Sequence, residues 1–147
     1  MSEFRQVTPD FAVAAQLAID DMARAAAAGF KTVIVNRPDN EAPGQPSANE
    51  IKSAAEASGL TFREIPFSGL PPAPAVVMET ARALDEANGP VLAYCRSGTR
   101  SITAWALAQA LAGELAAYRL HPSLLDVALG AARLAVGPDA VMRLGSA

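Results

Sequence analysis

The chain has 147 residues, of which 51% are hydrophobic and 18% are charged, and this length suits one domain. Fifteen acidic and twelve basic residues give a net charge of -3, and no basic cluster is present, so nucleic acid is not expected as a partner. A single cysteine and a single histidine exclude an internal disulfide and a typical structural zinc site, and no metal or cofactor is expected. The uncharged runs are too short to cross a bilayer and the N-terminus lacks an apolar signal core, which predicts a cytoplasmic protein without a membrane partner.

The first predicted elements lie between residues 20 and 46. A helix is expected over 20–28, because Asp20 and Asp21 suit a helix N-terminus and Gly29 can adopt the left-handed conformation that ends a helix. The run 31–36 is short, β-branched and continuously apolar at its centre, which predicts a central strand buried on both faces. A loop rich in proline and glycine follows, over 37–46.

The next elements alternate between helices and strands. Ser47 and Glu50 have the spacing of a capping box, which predicts a helix that ends near Ser58. The remaining predicted elements are a strand at 61–65, a helix at about 75–88, a strand at 91–94 and a helix at 102–112. The order β-α-β-α-β-α-β-α predicts an α/β fold, with a mainly parallel central sheet and helices on both faces. Residues 1–147 are expected to form one domain, and the tail from Leu115 to add one or two helices split by Gly137-Pro138.

The segment from Cys95 to Ser101 has the highest density of reactive and anion-binding side chains. A buried strand ends at Cys95 and a helix begins a few residues later, which places the thiol at the sheet edge where open α/β folds bind ligands. A loop that enters a helix N-terminus directs backbone N–H groups and partial positive charge toward one point. The side chains and the glycine expected to bind an anion there are Arg96, Ser97, Gly98, Thr99, Arg100 and Ser101. The segment therefore predicts a site for a small anionic substrate.

The same positive environment predicts that Cys95 is a thiolate nucleophile. A free thiol titrates near pH ~8.5, and helix N-termini with neighbouring cations lower this value to about 3.5–7.5, so no adjacent base is required. A lone cysteine is otherwise often a small buried apolar residue. The two arginines, the glycine and the hydroxyls that follow Cys95 favour the functional interpretation, with Cys95 and Arg100 as catalytic residues.

The residues from Tyr94 to Ser101 resemble the active-site loop of rhodanese-type sulfurtransferases and, more distantly, the cysteine–arginine loop of protein tyrosine and dual-specificity phosphatases. Over about Phe11 to Leu111, a wider set resembles the phosphatase-like domain of the beta-lactamase-hydrolase-like proteins, namely Gly29 to Asp39, Glu41, Gly59-Leu60 and Ile65-Pro66. This resemblance implies a phosphatase-like, three-layer α/β fold. The family is also labelled a sulfur transferase, and in some members the domain is fused to a persulfide dioxygenase domain of metallo-beta-lactamase type.

The sequence departs from the phosphatase pattern in two ways. Four residues separate Cys95 from Arg100, where phosphatases have five, and the segment after Ile65-Pro66 has no aspartate to protonate a leaving alkoxide. Asp39 or Glu41 could be this acid if their loop folds over the anion site. Arg37 either reaches the same crevice or pairs on the surface with one of these carboxylates.

Three functional hypotheses follow. The first is a rhodanese-type sulfurtransferase that moves sulfane sulfur from thiosulfate or glutathione persulfide through a Cys95 persulfide, which fits the four-residue gap and needs no general acid. The second is a phosphatase with a phosphocysteine intermediate. The third is a persulfide-carrying module for a partner dioxygenase, which would dock through the loops 42–46 and 70–74. Outside the site, His121 is expected in an exposed loop and Trp105 in the core.

Overall fold

The structure is a computed structural model, and it describes residues 2–119. In chain order, the elements are β1 (Arg5–Thr8), β2 (Phe11–Ala14), α1 (Asp21–Ala27), β3 (Thr32–Val35), α2 (Ala48–Ala57), β4 (Thr61–Glu64), α3 (Pro74–Glu86), β5 (Val91–Tyr94) and α4 (Thr99–Arg119). None of the helices within these residues has the length and apolar character needed to span a membrane.

The five strands form one sheet in the order β1-β2-β5-β3-β4. Strands β2, β5, β3 and β4 run parallel, and β1 pairs antiparallel with β2 at one edge. The predicted mainly parallel sheet is therefore confirmed. Ala14, Val35 and Tyr94 lie level across the three central strands, so the residue after Tyr94 leaves the sheet at its carboxyl edge.

Helices cover both faces of the sheet, as the β-α alternation predicts. Because successive strand residues point to opposite faces, Leu92 and Tyr94 of β5 pack with α1 and α2, whereas Val91 and Ala93 pack with α3 and α4. All four residues of β2, β3 and β5 are buried, which is the expected pattern for central strands of a parallel sheet. The result is a three-layer α/β fold.

Several local predictions are confirmed at residue level. The Ser47 hydroxyl accepts a hydrogen bond from the Glu50 N–H at 3.1 Å, and the Glu50 carboxylate accepts one from the Ser47 N–H at 2.8 Å, which is the expected capping box. Gly29 follows α1 with a φ of 98°, in the conformation that favours glycine. The Trp105 ring stacks on Phe11 with ring centroids 5.1 Å apart, so Trp105 packs against the core.

The structure corrects the sequence prediction at both ends of the fold. The N-terminal strands β1 and β2 have no predicted counterpart in the residue assignments, although the alternating order requires one strand before α1. Helix α4 begins at Thr99 rather than Ile102 and continues to Arg119, so residues 115–119 extend α4 instead of starting a separate tail helix. The other predicted tail helix, its Gly137-Pro138 break and His121 lie outside the described residues.

Candidate active site

Cys95 occupies the turn between the central strand β5 and helix α4. Its side chain is buried, and its backbone N–H donates to the Ala14 carbonyl at 3.4 Å. The Ile102 N–H donates to the Gly98 carbonyl at 2.9 Å, so the hydrogen-bonded turns of α4 start at Gly98. The N–H groups of the preceding loop and of the first turn therefore have no partner within the helix and can face the thiol.

We call residues 95–101 the cradle, because their backbone N–H groups converge on the Cys95 sulfur. The Gly98 N–H donates to Cys95 Sγ at 3.1 Å. Burial raises the pKa of the Cys95 thiol, but the backbone N–H groups of Ser101, Ser97, Gly98 and Arg100 lower it by more, so that its pKa lies below the ordinary value. The cradle therefore stabilises a thiolate without a histidine beside it.

Arg100 is held at the mouth of the cradle by two loops. Its Nη1 and Nη2 donate to the two carboxylate oxygens of Glu41, both at 2.8 Å, and its Nη1 also donates to the Phe67 carbonyl at 3.0 Å. Glu41 is the largest cause of the raised Arg100 pKa, burial opposes it, and Cys95 contributes in the same direction as Glu41. The guanidinium thus lies between the Glu41 carboxylate and the Cys95 thiolate.

Arg37 lies behind Glu41 rather than on the surface. Its Nε donates to Glu41 at 2.9 Å and its Nη1 donates to the Gln16 side chain at 3.1 Å, and the residue is only 5% exposed. Hydrogen bonding to Arg100 is the largest cause that lowers the pKa of Glu41 to about 2; burial opposes this shift, and Arg37 supports it. Glu41 is therefore ionised at neutral pH and carries no proton to donate.

Asp39 also has another partner. Its Oδ1 accepts a hydrogen bond from the Ala48 N–H at 2.8 Å, in the first turn of α2, where a carboxylate is stabilised by the positive end of the helix. Of the two carboxylates predicted as a possible general acid, Glu41 is ionised and Asp39 is engaged by α2. Neither is placed as a proton donor to a group bound beside Cys95.

The cradle opens into a cleft of about 480 Å³. The residues that line it are Glu41, Ser68, Leu70, Arg96, Ser97, Thr99 and Arg100. Gly98 and Ser101 lie buried beneath this surface, and the Ser101 hydroxyl is the one buried side-chain polar atom without a hydrogen-bond partner among residues 2–119. The structure thus brings the predicted loop residues to one cleft, either on its lining or directly below it.

Three contacts of the site are absent from the sequence prediction. Gln16 anchors Arg37, the Phe67 carbonyl anchors Arg100, and Arg5 donates to the Ser97 carbonyl. Gln16 follows the apolar run of β2, so a strand assigned at Phe11–Ala14 would have placed it at the carboxyl edge of the sheet. The other two contacts leave no sequence signal. Within the described part of the chain, no group of three or more histidine, cysteine or acidic side chains could hold a metal ion.

The three-layer fold and the cysteine loop together define a phosphatase-like α/β domain. The chain belongs to the family described as the phosphatase-like domain of beta-lactamase hydrolase-like protein, whose model matches residues 3–112. The predicted family resemblance is therefore confirmed.

Individual relatives agree with this assignment. The beta-lactamase hydrolase-like protein of Agrobacterium fabrum is 42% identical over 103 residues, which cover 70% of this chain and 24% of that protein. A crystal structure of a candidate phosphatase from Neisseria meningitidis is 37% identical, with a TM-score of 0.66, and the match covers 75% of this chain and 78% of that one. The core catalytic domain of a PP-IP phosphatase from S. cerevisiae shares the fold at 18% identity and a TM-score of 0.50, over 65% of this chain and 56% of that one. The chain spans about a quarter of the length of its curated relatives.

Proposed function

We propose that this chain is a cysteine-dependent phosphatase in which Cys95 accepts the phosphoryl group of a phosphate ester. The observation that carries the proposal is the convergence of backbone N–H groups on a buried thiol, with the Arg100 guanidinium at the mouth of the same cradle. A tetrahedral oxyanion bound there meets donors from several directions. The similarity to a candidate phosphatase over three quarters of the chain supports the same reaction class.

Arg100 retains the hydrogen-bond donors that a phosphoryl group needs. A guanidinium carries five N–H groups, and Glu41 and the Phe67 carbonyl engage both N–H groups of Nη1 and one of Nη2. The Nε–H and the second Nη2–H lie on one side of the guanidinium and match two oxygens of a phosphoryl group. Glu41 therefore fixes the orientation of Arg100 while leaving a donor pair for the substrate.

In the first step, the Cys95 sulfur attacks phosphorus and the bond to the ester oxygen breaks, with its electron pair moving to that oxygen. The cradle N–H groups and Arg100 neutralise the charge on the three phosphoryl oxygens as the bond breaks. In the second step, water attacks the phosphocysteine, which releases inorganic phosphate and restores the thiolate.

The partners of Glu41 and Asp39 predict a dependence on the leaving group. Because no carboxyl proton is placed at the cleft, the departing oxygen must leave as an anion or take a proton from water. Aryl phosphates, whose oxygens form stable anions, are expected to react faster than alkyl phosphates.

The proposal is tested with p-nitrophenyl phosphate and a matched alkyl phosphate, comparing wild type with Cys95→Ser. We expect phosphate release by wild type only, faster release from the aryl ester, and one phosphoryl group on the wild-type protein in intact-mass spectra after rapid acid quenching. Equal phosphate release by wild type and Cys95→Ser would contradict the proposal.

Sulfur transfer is the second candidate, and the same two carboxylates favour it. In this reaction, the Cys95 thiolate attacks the sulfane sulfur of thiosulfate, the S–S bond breaks, and sulfite leaves with the electron pair, so that Cys95 carries a persulfide. Sulfite needs no proton to leave, so the absence of a placed acid is no obstacle. Cyanide then takes the outer sulfur as thiocyanate and restores the thiolate.

Incubation with thiosulfate and cyanide separates the two candidates. A one-sulfur adduct on wild type that is absent from Cys95→Ser, followed by thiocyanate formation, would assign sulfur transfer. An adduct that forms once and is discharged only when a persulfide dioxygenase is added would instead indicate the carrier hypothesis. No adduct, together with Cys95-dependent phosphate release, would support the phosphatase.

A further inference from the structure

Arg5 links the N-terminal strand to the cradle. Strand β1 runs antiparallel to β2, and Arg5 pairs with Val13, so that the first residue of β1 lies near the carboxyl edge of the parallel strands. From there the Arg5 Nη2 donates to the Ser97 carbonyl at 2.5 Å, across 92 positions of sequence. An exposed arginine on an edge strand thus contacts the backbone of the loop that holds the thiol.

The Ser97 carbonyl and the Gly98 N–H belong to the same peptide unit. In a planar trans peptide these two groups point in opposite directions. The carbonyl points outward to Arg5, and the N–H points inward to Cys95 Sγ at 3.1 Å. A rotation of this one peptide would remove an N–H donor from the thiolate and turn the negative end of a carbonyl toward it.

Gly98 makes this peptide easy to rotate. Its φ is 99°, in a region that glycine enters without strain, and glycine has access to more alternative conformations than any other residue. The Arg5 guanidinium also packs against Gly98, because a Cβ at this position would lie 2.5 Å from the Arg5 Nη2. The loop therefore depends on a contact from outside the cradle to select one orientation of the Ser97-Gly98 peptide.

We propose that Arg5 is a positioning residue that holds the Ser97-Gly98 peptide in the orientation in which its N–H faces the Cys95 sulfur. The donor is charged, and a charge-assisted hydrogen bond to the carbonyl also polarises the peptide and strengthens its N–H as a donor. Arg5 acts through the peptide and needs no contact with substrate. The inference goes beyond the proposed function, because phosphoryl transfer and sulfur transfer both require the thiolate.

The test measures the pKa of the Cys95 thiol directly. Cys95 is the only cysteine, so the thiolate ultraviolet absorbance as a function of pH, corrected with Cys95→Ser, reports this group alone. The charged side chains of the site nearest to Cys95 are Arg100 and the ionised Glu41, and every test variant retains both. Arg5→Met removes the donor, Arg5→Lys retains a charged donor, and Arg63→Met is the control because Arg63 pairs with Glu86 away from the cradle.

We expect Arg5→Met to raise the pKa of Cys95 by about one unit, as the loss of one charge-assisted contact predicts. Arg5→Lys should restore at least half of this shift, and Arg63→Met should leave the titration unchanged. Any Cys95-dependent activity should fall in Arg5→Met at neutral pH and recover as the pH rises. Because the titration needs no turnover, it decides the role of Arg5 even if the chain lacks phosphatase activity.

The proposal is overturned if Arg5→Met and wild type titrate at the same pH. It is equally overturned if Arg5→Lys shifts the titration as far as Arg5→Met does, since the side chain would then be needed for packing and not for its donor. Circular dichroism and thermal unfolding of each variant establish that the folded protein is compared throughout.

Discussion

The two edges of the central sheet each carry an arginine–glutamate pair, but their surroundings differ. At the carboxyl edge, Arg100 and Glu41 form two hydrogen bonds, with side chains 12% and 25% exposed, and further groups fix both partners. At the amino edge, Arg63 and Glu86 form a single contact of 2.8 Å, with side chains 30% and 53% exposed. The cleft beside the cradle has a volume of about 480 Å³, against about 150 Å³ for the cavity lined by Arg63 and Glu86.

The difference shows that paired charges alone do not define a site in this fold. Parallel strands deliver their carboxyl ends to helix N-termini, where backbone N–H groups are unpaired and the local charge is positive. Their amino ends follow helix C-termini, which present carbonyl groups instead. Only the carboxyl edge combines an arginine with backbone donors and a buried thiol, so substitutions there should have larger effects than matched substitutions at the other edge.

The largest expected effect is on catalysis by Arg100→Lys. Lysine keeps the charge but loses the planar donor pair that faces two phosphoryl oxygens, so kcat/KM for p-nitrophenyl phosphate should fall about 100-fold to 1,000-fold. Arg63→Lys at the amino edge is the matched control and should retain wild-type kinetics. Equal kinetics for Arg100→Lys and wild type would mean that Arg100 does not contact the transferred group.

The next effect concerns the backbone of the cradle. Gly98→Ala should destabilise the fold by about 1–3 kcal/mol, because alanine is strained at a φ of 99° and its Cβ would displace Arg5. The control is Gly113→Ala in α4, where a Cβ meets nothing within 4 Å and the loss of a helical glycine should add about 0.5–1 kcal/mol of stability. Urea unfolding of both variants measures the difference. Shifts of the same sign in the two would refute the argument.

The same contrast explains how far the sequence predicts the structure. Strands β3 and β5, the capping box and the cradle are contiguous in sequence, so local apolar patterns and turn residues identify them. Strand β1 is exposed and four residues long, which leaves almost no pattern to detect. The contact between Arg100 and Glu41 joins residues 59 positions apart, and no periodicity encodes a contact of that range. The sequence therefore predicts the nucleophile but not the groups that orient its surroundings.

A smaller effect should appear in the pH dependence of stability of Glu41→Gln. The folded-state pKa of Glu41 is about 2, below the ordinary value of 4.5, so its ionised form stabilises the fold at any pH above the unfolded-state value. Wild type should therefore be more stable than Glu41→Gln at pH 7, and this advantage should shrink as the pH falls from about 4.5 toward 2. Urea unfolding at a series of pH values measures it. An advantage of constant size between pH 7 and pH 3 would mean that the charge of Glu41 contributes nothing.

The smallest expected effect is at the amino edge, where Arg63 and Glu86 are largely exposed. Their ion pair gains little because water screens both charges and both side chains lose rotational freedom, so a double-mutant cycle with Arg63→Ala and Glu86→Ala should give a coupling of about 0.2–1 kcal/mol. This coupling should decrease further at high salt, since exposed charges are screened. A coupling well above this range that salt does not weaken would mean that exposure does not separate the two edges, and the difference would then rest on the backbone donors of the cradle alone.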